Sequence, residues 1–218
     1  MHGVSRVFAG SDSWDAGCYT SAMVALRKRA AARMTLNEFL AWDPGDPSGR
    51  VWQLIDGEPV AMAPGSHTHG AIQGETARVF GNHLAEQRSP CHVVTEPGIV
   101  PRVRANRNYR VPDLGVTCAP ASHDLMVSDP ILLIEILSPS NEAETWANIW
   151  AYTSVPSVQE ILAIHSTRIE AELLRRNTDG SWPANPDIVV AGGVLTLSSI
   201  GFSGPLAALY RTTALAAA

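Results

Sequence analysis

The run ILLIEIL at residues 131–137 constrains this chain more than any other stretch, because it sets an acid inside an otherwise aliphatic strand. So continuous an apolar run predicts a central strand covered on both faces. Just upstream, YRVPDLGVTC at 109–118 predicts a neighbouring strand that opens with Asp113. A carboxylate buried in such company has to be paired, protonated or bound to a cation, since an isolated buried charge costs far more than a strand gains from its apolar neighbours. Asp113 and Glu135 are therefore the first candidates for a functional pair. For Asp113 a plain turn role after Pro112 stands beside that reading.

The segments around this pair describe a mixed α/β chain. Thr35 to Glu38 has the arrangement of a capping box and predicts a short helix. Asp56-Gly57 between VWQLI and EPVAM is a strong hairpin signal. Apolar positions Ile72, Val79, Phe80 and Leu84 recur at helical spacing, so residues 68–87 are expected to form an amphipathic helix, with His67 and His69 at its entrance. HVVTEPGIV supplies a further strand. After Glu135, Ser138 to Asn141 stops the central strand, with Asn141 and Glu144 expected to cap a crossover helix whose apolar face is Trp146, Ile149 and Trp150. That face serves a core or a dimer contact. EILAIHS, RIEAELLRR and DIVVAGGVLTL then read as strands, with a turn at Asn177 to Gly180. The expected organisation is a leader over 1–33 that is disordered or wrongly assigned to the protein, one domain over 34–210 and a frayed tail over 211–218.

Charge and cysteine usage narrow the function classes. Residues 1–33 hold five basic and two acidic groups, leaving 11 arginines against 19 acids, a net of about −8, in the remainder. Nucleic-acid contact therefore requires clustered arginines, and Arg102, Arg104, Arg107 and Arg110 are the available cluster. No apolar run approaches the roughly 18–20 residues of a membrane-spanning helix. Cys18, Cys91 and Cys118 have no C-x-x-C spacing, which argues against a disulfide framework or zinc knuckle and predicts a cytoplasmic location. The H-x-H of His67 and His69 followed by Glu75 suggests a cupin-type metal motif, but the helical periodicity between them excludes that barrel.

The order of these parts resembles the PD-(D/E)xK nuclease fold. More narrowly, MTLNEFLAW, VWQLIDGEPVAM, SHTHG, RVPDLGV, IEILSPS and Tyr152 followed by VPSVQEILAIHS resemble a widespread bacterial family of restriction-endonuclease-like proteins, over residues 35–175. The resemblance implies a central mixed β-sheet flanked by helices, with an N-terminal β-hairpin. It implies endonucleolytic hydrolysis of DNA by a homodimer, with Mg2+ or Mn2+ held by Asp113, Glu135 and the carbonyl of Ile136. His69 matches the histidine that follows the hairpin, placed to orient a carboxylate, water or phosphate.

Three positions depart from the family pattern. Leu137 stands where the nuclease core has a lysine two residues past the glutamate. Asn148 stands where family members often carry a lysine on the crossover helix, with Glu144 one turn earlier. Gln53 replaces the glutamate of the first hairpin strand, with Glu58 just beyond the turn. The only lysine in the chain is Lys28. Gln53 and Asn148 are carried with Asp113, Glu135 and His69 as catalytic candidates. The alternative to an endonuclease is a nuclease-fold protein that binds nucleic acid or protein without turnover.

Overall fold

The computed structural model describes residues 33–217, so the expected leader lies, but for Arg33, outside the described residues. The capping box forms as expected: Glu38 N–H donates to the Thr35 hydroxyl and Thr35 N–H donates to the Glu38 carboxylate, starting α1 (Leu36–Leu40). The hairpin of β1 (Trp52–Ile55) and β2 (Glu58–Ala61) turns on Asp56 and Gly57, both at positive φ. That backbone twist is the one two-residue hairpins require.

The main sheet runs in the order β3 (His92–Thr95), β4 (Leu114–Thr117), β5 (Pro130–Leu137), β6 (Glu160–His165), β7 (Glu170–Arg175) and β8 (Asp187–Val190). Only β5 and β6 are parallel. That parallel pair needs a crossover, which α3 (Glu142–Tyr152) supplies. The long helix α2 (His67–Glu86) covers one face, where Ile72, Phe80 and Leu84 meet Leu132, Ile134 and Ile136. Helix α3 covers the other, where Ile149 and Tyr152 meet Leu133 and Leu137. Because side chains alternate along a strand, Glu135 projects to the α3 side with Leu133 and Leu137. A second small sheet, β9 (Val194–Leu197) with β10 (Phe202–Pro205), closes the α2 face, with Phe202 against Phe80. No described helix is long and apolar enough to cross a membrane.

Three expectations change. Cys91 and Cys118 form a disulfide. Their separation of 27 residues hides this in the sequence, but His92 pairs with Thr117, so the next two residues outward face each other across β3 and β4. Cysteine usage therefore no longer argues for a reducing compartment. Asn141 makes no side-chain cap on α3; its carbonyl accepts from the Thr145 hydroxyl. The buried face of α3 is Thr145, Asn148, Ile149 and Tyr152, while Trp150 is 44% exposed.

His67, His69 and Glu75 all lie on α2, as the helical periodicity requires, and Glu75 is engaged elsewhere. Its buried carboxylate accepts from Arg78 and from Arg211 of the C-terminal segment, each at 2.6 Å. The bonds from Arg78 and then Arg211 hold its pKa down to about 2. A depressed pKa gives stability that is complete above the unfolded value near 4.5 and is lost as pH falls toward about 2. Glu75→Gln is expected to lower the thermal midpoint at pH 7, and the gap from the wild type should close as melts are repeated from pH 4.5 down to pH 2.

Candidate active site

The site forms where β4 stops pairing with β5. Their ladder ends at Leu114 opposite Ile134, and beyond it the Ile136 N–H donates to Asp113 Oδ2 at 2.6 Å. The other Asp113 oxygen meets His69 Nε2 at 2.8 Å. Ser66 caps α2 by accepting from His69 N–H, which sets the histidine on the first turn facing Asp113. The Asp113 main chain is fixed as well: its carbonyl accepts from Glu96 N–H and from Gln73 Nε2, both at 3.0 Å. Asp113 is thus held on both carboxylate oxygens and on its carbonyl.

Glu135 is 5% exposed and accepts from the Tyr152 hydroxyl at 2.8 Å. Burial first, and then the charge of Asp113, push its carboxyl well above the usual carboxylate range. The Tyr152 bond acts the other way, favouring the charged form. Burial, followed by the Glu135 charge, also raises the Tyr152 phenol far above its ordinary value, so it remains a donor. For His69, burial is the largest influence and lowers its pKa. The bond to Asp113, the charge of Asp113 and that of Glu96 outweigh it, leaving the imidazole above its ordinary value. Among the described residues no salt bridge reaches Glu135, and that of Asp113 is with His69.

The remaining candidates divide. Gln53 is buried, and its Oε1 accepts from Val111 N–H at 3.3 Å, so it steadies the chain leading into Asp113. Asn148 is buried on α3, and its Oδ1 accepts from Arg110. Arg102, Arg104 and Arg107 are exposed, on a loop whose Arg102 N–H donates to Ser154 Oγ at 2.9 Å. Arg104 reaches Asp56 at 2.7 Å. Arg110 does not belong with them. It is 7% exposed and turned into the protein, because its backbone exchanges two hydrogen bonds with Ile99. The expected cluster of four surface arginines is therefore a loop of three and one buried cation.

Two residues of the site, Tyr152 and Gln73, carry no role in the sequence reading. Both have a signal in helical spacing: Gln73 follows His69 by one turn on α2, and Tyr152 follows Asn148 by one turn on α3. A second polar group is also unforeseen, in which His165 Nε2 lies 2.8 Å from Glu172 and 3.4 Å from Glu170. Three ligand atoms there lie close enough together to hold an ion. That group already holds its own cation, since Arg168 contacts both His165 and Glu170.

Tyr152→Phe removes the one hydroxyl donor on Glu135, so the carboxyl becomes harder to ionise. The variant is expected to lose about 1 kcal/mol of stability in denaturant unfolding.

Comparison with known proteins places the chain. The chain is 30% identical over 185 residues to an uncharacterized protein of Synechocystis sp., covering 82% of this chain and 92% of the relative. The crystal structure of a "putative nuclease belonging to DUF820" from Anabaena variabilis superposes with a TM-score of 0.64 at 18% identity, covering 82% of this chain and 98% of that one. The fold is thus the restriction-endonuclease-like one, with a central mixed sheet flanked by helices. A family profile described as "Putative restriction endonuclease" matches residues 36–204, a span that takes in every site residue from Gln53 to Tyr152, and the chain belongs to that family, Uma2.

Proposed function

We propose that this protein is a metal-dependent endonuclease that hydrolyses phosphodiester bonds of DNA, with Asp113 and Glu135 as its metal ligands. The observation that carries this reading is the convergence of two buried carboxylates at Ile136, one bonded to its N–H and the other on the preceding residue, with no arginine or lysine bridging either among the described residues. A strand residue presents its N–H and its carbonyl to the same edge, so the Ile136 carbonyl faces the Asp113 side as a third oxygen. An all-oxygen set of this kind fits Mg2+ or Mn2+.

When bound, such a cation polarises the phosphate and lowers the pKa of a coordinated water. The chain's own groups do the rest. His69 and the Ile136 N–H fix Asp113, Tyr152 fixes Glu135, and Gln73 and Gln53 fix the backbone at Asp113 and just before it. Hydrolysis joins a water oxygen to phosphorus and releases the bridging oxygen of the departing strand. Arg102, Arg104 and Arg107 are the exposed cations available to track the DNA backbone. A homodimer is part of this reading, with the exposed Trp150 beside Trp146 as its candidate face.

Purified protein is expected to cut plasmid in Mg2+ or Mn2+ and not in chelator. Salt-sensitive DNA binding without cutting would instead make it a binding protein. Replacing Arg102, Arg104 and Arg107 by alanine should weaken DNA binding on all sequences. The slope of log affinity against log salt should become shallower by about 0.9 for each phosphate the loop no longer neutralises. An unchanged slope would remove the loop from the interface.

A further inference from the structure

Beside a metal, a protein cation near the scissile phosphate would offset further charge in the transition state, and this chain has no lysine beyond residue 28 to provide one. The structure supplies a different group. Arg110 is the one buried arginine among the described residues. It lies three residues before Asp113, and the two hydrogen bonds it exchanges with Ile99, each 2.8 Å, lock its backbone. Its guanidinium is aimed between helix and loop: NH1 donates to Asn148 Oδ1 at 2.9 Å and NH2 to Asn108 Oδ1 at 3.1 Å. Both partners are neutral amides, so neither cancels its charge. Burial lowers its pKa, and Tyr152, Asp56 and Glu135 act against that from outside hydrogen-bonding range.

One nitrogen is left without any partner. Arg110 Nε is buried and has no partner, one of six such side-chain atoms among the described residues. An unpaired buried N–H on a fixed guanidinium marks a place where an acceptor is missing. Asn148 accounts for the rest of the arrangement, since an amide oxygen at that helix position orients the fork without neutralising it.

We propose that Arg110, oriented by Asn148, is the catalytic cation of this site, offsetting the negative charge that builds on the phosphate oxygens during hydrolysis. This rests on the nuclease reading above. Arg110 supplies charge and hydrogen bonds and does not exchange a proton, which suits a guanidinium that stays charged throughout. Asn148 acts through Arg110 and is a positioning residue.

The test uses the full chain, supercoiled plasmid and saturating manganese, with manganese affinity measured separately by calorimetry. Arg110→Met is expected to lower kcat by about 100-fold or more while KM and manganese affinity change by less than about threefold. Arg110→Lys should retain about a tenth of kcat or better. Moving the charge to the helix in the double variant R110M/N148K should recover about tenfold over R110M, which a purely structural role for Arg110 does not predict. If R110M does not fold, Asn148→Leu carries the test, with kcat falling about tenfold at constant KM. A kcat within about threefold of wild type for R110M, or for N148L where R110M is unfolded, overturns the proposal. So does a double variant no better than R110M with manganese affinity intact. A wild type that binds manganese but cuts nothing overturns the nuclease reading itself, and is told apart by needing no variant.

Discussion

Glu135→Gln is expected to abolish plasmid cutting, by about 10³-fold or more, and at the same time to stabilise the metal-free protein. Both effects follow from one carboxyl. It is 5% exposed, and burial and the neighbouring Asp113 charge push its pKa well up. A group whose folded pKa is raised gives stability that is complete below the unfolded value near 4.5 and is lost as pH rises through the folded value. Glutamine removes that pH dependence. Its amide oxygen keeps the bond from Tyr152, and its NH2 turns repulsion toward Asp113 into a hydrogen-bond donor. The variant should be more stable than wild type by about 1–2 kcal/mol near pH 8, the scale of an ordinary stabilising substitution. The difference should shrink as pH approaches 4.5, read by denaturant unfolding in chelator. Asp113→Asn should also abolish cutting.

The second large effect concerns Leu137, where the nuclease pattern has a lysine. Leu137 is 2% exposed and packs with Leu133, Ile149 and Tyr152, while its carbonyl accepts from Ser166 N–H and hydroxyl. A lysine there loses that packing and must bury an ammonium beside Leu133 and Ile149, on the strand face that also carries the Glu135 carboxyl. Leu137→Lys is expected to destabilise the protein by about 3–5 kcal/mol and not to raise activity. Leu137→Met, which keeps the volume, should cost under about 1.5 kcal/mol. Urea unfolding of both variants checks this. A stable and more active L137K would show that the position opens on the site after all.

What the sequence made legible was local. The capping box at Thr35, the Asp56-Gly57 turn and the acid inside ILLIEIL each carry their cause within a few residues, and the structure forms the first two as read. What stayed hidden depended on register. Arg110 reads as the last of four loop arginines until its bridge to Ile99 turns it inward. Cys91 and Cys118 look solitary until His92 is paired with Thr117. Tyr152 looks like core, and is core, but its hydroxyl finds Glu135 only because α3 lies back across β5. Spacing alone puts Trp150 on the apolar face of α3, whereas the helix turns Tyr152 inward and leaves Trp150 44% exposed. The group formed by His165, Glu170 and Glu172 has a faint trace in the alternation of β7, yet nothing local ties it to the end of β6.

That second group makes the most direct test a matter of where the metal goes. Crystals soaked in Mn2+ and measured at a wavelength where manganese scatters anomalously should show a peak between Asp113 and Glu135, against the Ile136 carbonyl. A peak among His165, Glu170 and Glu172, with none between Asp113 and Glu135, would contradict the assignment of the site.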